Sequence, residues 1–182
     1  MSHPSGSTPE QVVLLAEDGR PVGTADKATV HGEDTPLHLA FSCHVFDARG
    51  RVLLTRRAIS KRTFPGVWTN AFCGHPAPGE EIEDAVRRRG LRELALPIGE
   101  IEAVIPDFRY RAVDSSGIVE NEVCPVYRTL VRDDPMPHAD EVDDWAWVAP
   151  KNLLAAVAAT PFAFSPWLVL QLKRWKPAPP AA

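Results

Sequence analysis

Cysteine is scarce in this chain. Cys43, Cys73 and Cys124 are the only three in 182 residues. They are too few and too scattered for a disulfide framework, and they read as thiols of a reducing compartment. No apolar run approaches the roughly 18 residues of a membrane-spanning helix, so no membrane partner is expected. The opening stretch MSHPSGSTPE lacks the apolar segment of a secretory signal, which makes the cytoplasm the expected location. A basic surplus is missing too: 20 Lys and Arg face 24 Asp and Glu, a net charge of −4. General nucleic-acid binding therefore has no electrostatic footing, and only a local cationic pocket remains open. There is no internal repeat and no long linker. Proline, by contrast, is plentiful, with 18 residues, about twice the usual ~5%. That argues against a helical bundle and for many short elements. With 45% apolar and 24% charged residues, the composition is that of an ordinary globular domain.

Residues 1–9, rich in Ser, Pro, Gly and Thr, are expected to be flexible. Residues 10–175 are expected to form one domain, and 176–182 (KPAPPAA) an extended, unpacked tail. Val12–Leu15 and Pro21–Thr24 flank Asp18 and Gly19 and predict a hairpin. Leu39–Phe46 with Arg51–Thr55 predicts a second, and Val104–Val113 with Ile118–Val131 a third. Val67–Cys73 and Trp145–Val148 read as short strands, and 132–140 as a polar loop. Glu80–Leu96 is the strongest helix, with acids in its first turns and arginines after them, a polarity that suits the helix dipole. Gly90 reads as a weak point within it. Pro150–Ala158 is helix-like, and Ser165 with Pro166 predicts the N-cap and first residue of a helix over Trp167–Trp175. The mixture predicts α+β or a three-layer α/β/α sandwich.

Several residues are of types that carry chemistry. Gly74, Glu80, Arg88, Glu93 and Leu96 follow the spacing of the Nudix box, G-x5-E-x7-R-E-U-x-E-E-x-G-U. Arg89, Gly90, Arg92 and Ala95 depart from it, so two of the carboxylates that a Nudix hydrolase uses to hold magnesium are arginines here. His31, His38 and His75 add three imidazoles. Glu120 and Glu122, two apart on a strand, project to one face. Together these read either as a first shell for zinc, manganese or another divalent ion, although the spacing is not that of a zinc finger, or as ordinary surface and core residues. Cys73 reads either as a reactive thiol or as a small buried apolar residue. Lys27, Arg57, Lys61 and Arg89 read either as a diphosphate-neutralising set or as solvated charge. Tyr110 and Trp167, taken alone, read as core aromatics.

The segments HLAFS (38–42), TRRAISK (55–61), PGVWTNAFCGHP (65–76), DFRYRA (107–112), SGIVENEVCPV (116–126) and FSPW (164–167) occur in order. Together they resemble the type I isopentenyl-diphosphate delta-isomerases, over about Val12 to Trp175. The resemblance implies a Nudix-like fold with a mixed sheet and an added N-terminal hairpin. It implies a reversible 1,3-allylic shift, isopentenyl to dimethylallyl diphosphate, by protonation and deprotonation and without flavin. It also implies catalytic roles for Cys73, Glu122, Tyr110 and Trp167. His31, His38, His75, Glu120 and Glu122 would hold one divalent metal (Mn2+ or Zn2+), and Glu93 would help hold Mg2+. Lys27, Arg57, Lys61 and Arg89 would take the substrate diphosphate. A carbocation-like intermediate needs an enclosed apolar pocket, and an indole face stabilises it without attacking it. The expected partner is the small-molecule substrate alone, acted on by a monomer. Phe64 and Ala71 depart from the residues common in that family. The alternative is a Nudix pyrophosphohydrolase of a nucleoside diphosphate derivative, for which Arg92 replaces a needed acid.

Overall fold

The computed structural model describes residues 10–180, so the expected flexible segment 1–9 lies outside the described residues. The chain runs through β1 (Gln11–Leu15), β2 (Pro21–Asp26), β3 (His38–Leu39), β4 (Phe41–Phe46), β5 (Val52–Arg57), β6 (Trp68–Asn70) and β7 (Phe72–Gly74). Then come α1 (Ile82–Leu94), β8 (Ile101–Ile105), β9 (Arg109–Val113), β10 (Val119–Val123), β11 (Val126–Leu130), β12 (Val142–Val148), α2 (Pro150–Ala159) and α3 (Pro166–Arg174). One sheet has the order β2-β1-β3-β10-β9. The other runs β12-β5-β4-β11-β8, with β6 on β5 and β7 on β4. Both sheets are mixed, because β3 pairs in parallel with β10 and β4 with β11.

The third expected hairpin is where the structure differs most from the sequence reading. It is broken into two, with β9 and β10 in the first sheet and β8 and β11 in the second. Pro106 and Pro125 lie at the two breaks; proline has no N–H to give a ladder and interrupts it. Beside that break β3 passes into β4 across Ala40, whose N–H still donates to Val123 O at 2.9 Å. Two neighbouring strands thus leave one sheet and enter the other together, and a cleft opens where the sheets part. The expected strand over 67–73 likewise splits at Ala71, since β6 pairs with β5 and β7 with β4.

All six residues of β4 are buried, as expected of a strand covered on both faces. On one side Phe41, Phe72, Val86 and Leu94 join α1 to the second sheet. On the other, Phe46, Leu153, Leu168 and Leu172 bring in α2 and α3. This is the three-layer arrangement. Ser165 caps α3 through its hydroxyl, which accepts from Leu168 N at 3.3 Å, and Pro166 follows as the first helical residue. The described part of the expected tail, 176–180, is not unpacked: Pro177 is buried, and Arg128 donates to the carbonyls of Ala178 and Pro179 at 2.8 and 3.0 Å.

Helix α1 resolves two departures from the box. Ala95, where the pattern has glycine, adopts the left-handed conformation with φ 54°, so the turn survives without its usual residue. Gly90 is a close-approach position, because a Cβ there would lie 2.5 Å from Ile98 Cγ1 and 3.2 Å from Phe72 Cζ. In an open helix, Gly→Ala gains roughly 1 kcal/mol; here the added methyl is expected to cost about 1–3 kcal/mol by overpacking. Gly90→Ala should therefore lower the thermal midpoint by several degrees. A raised midpoint in a calorimetric scan would show that the Ile98 wall yields.

Candidate active site

The cleft between the sheets has a volume of about 280 Å3, and most of the candidate residues line it. Cys73 and His75 enter from β7 and the turn after it; Tyr110 and Glu120 with Glu122 come from β9 and β10 of the other sheet. Lys27, His31, Arg57, Lys61, Arg89 and Trp167 complete that part of the lining. His38 and Glu93 are not in the lining; both are buried.

His31, His38, His75 and Glu122 each present a ligand atom within 4.8 Å of the others. His38 Nδ1 lies 2.9 Å from Pro36 O. A carbonyl only accepts, so Nδ1 carries a proton and Nε2 is the ring nitrogen aimed into the cluster. That Nε2 stands 3.2 Å from His75 Nε2 and 3.4 Å from Glu122 Oε1, while His75 Nε2 stands 3.1 Å from the same oxygen. Ring nitrogens and a carboxylate oxygen set this close need positive charge among them, either an imidazole proton or a metal ion. The donor set therefore fits a divalent metal. Burial pulls His31 down to about 3, so it is a neutral ligand. Burial opposes charge on His38 too, but the facing Glu122 carboxylate outweighs this and raises it. Burial also works against ionised Glu122, and the two imidazoles overcome it, holding the carboxyl well below the usual range.

Glu120, expected as a fifth ligand, turns elsewhere. Its Oε1 accepts from Thr63 Oγ1 at 2.7 Å, and its Oε2 lies 2.7 Å from the Tyr110 hydroxyl, which is also 2.8 Å from Glu122 Oε2. A phenol has one hydrogen and cannot donate to two carboxylates at once. A proton on one of the two acids, donated to the phenol oxygen, satisfies both contacts. Burial and then the charge of Glu122 push Glu120 up while Glu122 is held down, so Glu120 is the member that takes a proton more readily. Tyr110 stays protonated for the same kinds of reason: burial first, then both carboxylates.

Cys73 Sγ lies 3.2 Å from Ser42 Oγ and 3.4 Å from Asn70 Nδ2. Burial pushes the thiol up to about 12 despite those two neighbours. It is more firmly protonated than a free thiol, whose pKa is about 8.5. Trp167 donates from Nε1 to Asn70 Oδ1 at 3.0 Å, and its ring stands 5.7 Å from that of Tyr110 and 5.3 Å from that of Phe64.

The four candidate diphosphate cations already have partners. Lys27 pairs with Glu10 at 2.6 Å, and Lys61 with Glu141. Buried Arg89 pairs with Glu93 and, at 3.2 Å, with Glu141. Arg57 donates to the carbonyls of Thr63 and Phe64, and its guanidinium carbon lies 5.5 Å from the Trp167 ring centroid. Glu93 is held by Arg89 rather than presented to the cleft.

A model of the NUDIX domain matches residues 36–168. A curated isopentenyl-diphosphate Delta-isomerase of Leifsonia xyli is 62% identical over 165 residues, covering 90% of this chain and 89% of its own. That of Corynebacterium glutamicum is 55% identical over 168 residues, covering 90% and 89%. The chain belongs to the isopentenyl-diphosphate Delta-isomerase family. Its Nudix fold is shared with a solved Deinococcus radiodurans protein, DR0079, at 22% identity and a TM-score of 0.71, over 91% of this chain and 98% of that one. A MutT protein from Methanosarcina mazei follows at 18% identity and 0.60, over 76% and 92%. No helix among the described residues is long and apolar enough to cross a membrane.

Sequence reasoning missed Asn70 beside Cys73, and Thr63, Arg62 and Glu141 in the cleft lining. Asn70 carried a legible signal, as an amide amid strand residues. Its Nδ2 donates to Cys43 O and Phe72 O at 3.1 and 2.8 Å, which orients the amide that joins Trp167 to Cys73. Glu141 carried none. Loop 132–140 brings it in by docking on the end of α1, where His138 N donates to Glu93 O at 2.8 Å.

Proposed function

We propose that this chain converts isopentenyl diphosphate to dimethylallyl diphosphate, reversibly and without flavin, as a step of isoprenoid biosynthesis. It acts as a cytoplasmic monomer on a small molecule. The observation that carries this reading is the placement of Cys73 and Glu122. They reach one cleft from different sheets, so a flat allylic chain lying between them meets a proton-transfer group on each face. One side chain could not serve both.

His31, His38, His75 and Glu122 would hold a transition metal, Mn2+ or Zn2+, and Mg2+ would come with the diphosphate. A bound cation supplies positive charge that lowers the proton affinity of adjacent carboxyls and offsets the diphosphate. Glu122, with Tyr110 and the proton shared through its phenol, serves the alkene terminus. Cys73 serves C2. A protonated Cys73 opposite an ionised Glu122 is the state left after turnover toward dimethylallyl diphosphate. Exchange with water resets it, so product formed in deuterated water should carry deuterium. Lys27, Arg57, Lys61 and Arg89 bind the diphosphate in exchange for the carboxylates and carbonyls that now hold them. Trp167 and its aromatic neighbours exclude water from the cation-like centre.

The hydrolase alternative needs free box carboxylates. Arg92 occupies one such position and pairs with Glu10, while Glu93 is neutralised by Arg89. Incubation of purified, metal-loaded protein with isopentenyl diphosphate decides between them. Dimethylallyl diphosphate is expected; released phosphate or pyrophosphate without allylic product would sink the isomerase reading.

Trp167 gives a graded test. Cation–π attraction contributes roughly 0.5–2 kcal/mol, so Trp167→Phe should retain part of the rate at saturating substrate and Trp167→Ala less. Equal wild-type and alanine rates would reduce the ring to packing.

A further inference from the structure

Behind Cys73, where β4 meets α3, polar side chains run in an unbroken line through an apolar core. Cys73 Sγ is 3.2 Å from Ser42 Oγ, Gln171 Nε2 is 2.9 Å from that oxygen, and Gln171 Oε1 is 2.9 Å from His44 Nε2. Ser42, His44 and Gln171 are all fully buried. At the far end His44 Nδ1 has no hydrogen-bond partner among the described residues, and the ring packs against Trp175 at 5.1 Å between centroids.

Such a line has two self-consistent directions. In one, His44 carries its proton on Nε2 and donates to Gln171 Oε1; the Gln171 amide donates to Ser42; and the single Ser42 hydrogen points at Cys73 Sγ. In the other, every bond reverses, the amide turns over, and the His44 proton moves to Nδ1. The directions differ at the partnerless end, which holds a lone pair in the first and an N–H in the second. A buried N–H with no acceptor is the rarer and costlier orphan, so the first direction prevails. Burial keeps His44 down to about 4, which leaves the tautomer as its only freedom at neutral pH.

We propose that His44 and Gln171 are positioning residues that fix the Ser42 hydroxyl as a hydrogen-bond donor to Cys73. Trp167 and Gln171 lie four apart on α3 and so share a helix face. One face of α3 presents an indole to the cleft and sets the hydrogen bond at the thiol. Without the clamp the Ser42 hydroxyl is free to turn to Cys124 Sγ, 3.5 Å away.

The kinetic part of this inference rests on the isomerase reading; the tautomer does not. Nitrogen-15 NMR of the zinc-loaded protein should find His44 neutral with its proton on Nε2. Gln171→Met, matched in length, should lower kcat roughly tenfold to hundredfold, the range seen when residues that orient metal ligands are removed. KM for isopentenyl diphosphate should not change, because nothing in the line touches the diphosphate cations. Ser42→Ala should behave alike, which keeps the test open if Gln171→Met fails to fold, and Ser42→Thr, which keeps the hydroxyl, should recover part of the rate. A proton on His44 Nδ1, or Ser42→Ala turning over at the wild-type rate, would overturn the proposal. Wild-type protein inert toward isopentenyl diphosphate would instead sink the isomerase reading and leave the tautomer to decide on the relay.

Discussion

Metal-loaded Cys73→Ala is expected to isomerise isopentenyl diphosphate at least about 10²–10⁴-fold more slowly than wild type, the usual loss when a positioned acid or base is removed. The fold should survive the change. Cys73 is only partly buried, and its polar neighbours Ser42 and Asn70 keep other partners, Gln171 for the first and Trp167 with two carbonyls for the second. Metal content should also stay level, because Cys73 is not among the four clustered ligand residues. The deficit should fall on kcat and leave KM nearly alone, since the cations that meet the diphosphate are elsewhere in the cleft. Saturation kinetics with product analysis measures this. A metal-replete alanine variant at the wild-type rate would end the two-sided assignment.

Glu122→Gln is expected to lose at least as much, and for two separable reasons. Glutamine cannot exchange the proton, and it is a weaker, uncharged ligand between His38 and His75, whose ring nitrogens stand 3.4 and 3.1 Å from the native carboxylate oxygen. It also disturbs the hydrogen bond from Tyr110, 2.8 Å in the native protein. Weaker metal retention should accompany the rate loss, and titration with excess metal separates the effects. If excess metal restores the rate fully, Glu122 is a ligand and nothing more. A residual loss of about 10²-fold or greater at metal saturation supports the proton-transfer role.

The two reactive groups differ in how far they could be read in advance. Cys73 and Glu122 were visible because each sits in a run of residues whose order carries the family resemblance. Their ionisation was not. The thiol is pushed up to about 12 by burial, and burial at one residue is the sum of everything that folds over it. The pairing of Glu120 with Thr63 was equally hidden. Strand alternation correctly put Glu120 and Glu122 on one face, but it could not say that residue 63 of a distant loop would claim one of them at 2.7 Å.

Local chemistry decided what lay within a few residues. The first hairpin, the dipole-matched helix α1 and the Ser165–Pro166 start of α3 depend on neighbours in the chain, and these appear where the sequence put them, within a residue or two. The sequence alone also determined which residue types were available to the site: three imidazoles, two acids on one strand face, a thiol and an indole. Only the tertiary structure decided how they are satisfied. It split the long hairpin at two prolines, so that one half, β9 with β10, walls a cleft that β7 enters from the other sheet. It made Gly90 a contact with Ile98 rather than a weakness, and it spent the four candidate cations on Glu10, Glu93, Glu141 and loop carbonyls. The reason is one of range. Caps, dipoles and alternation act over a single turn or strand, whereas desolvation and ion pairing depend on which distant segments arrive, and packing settles that last.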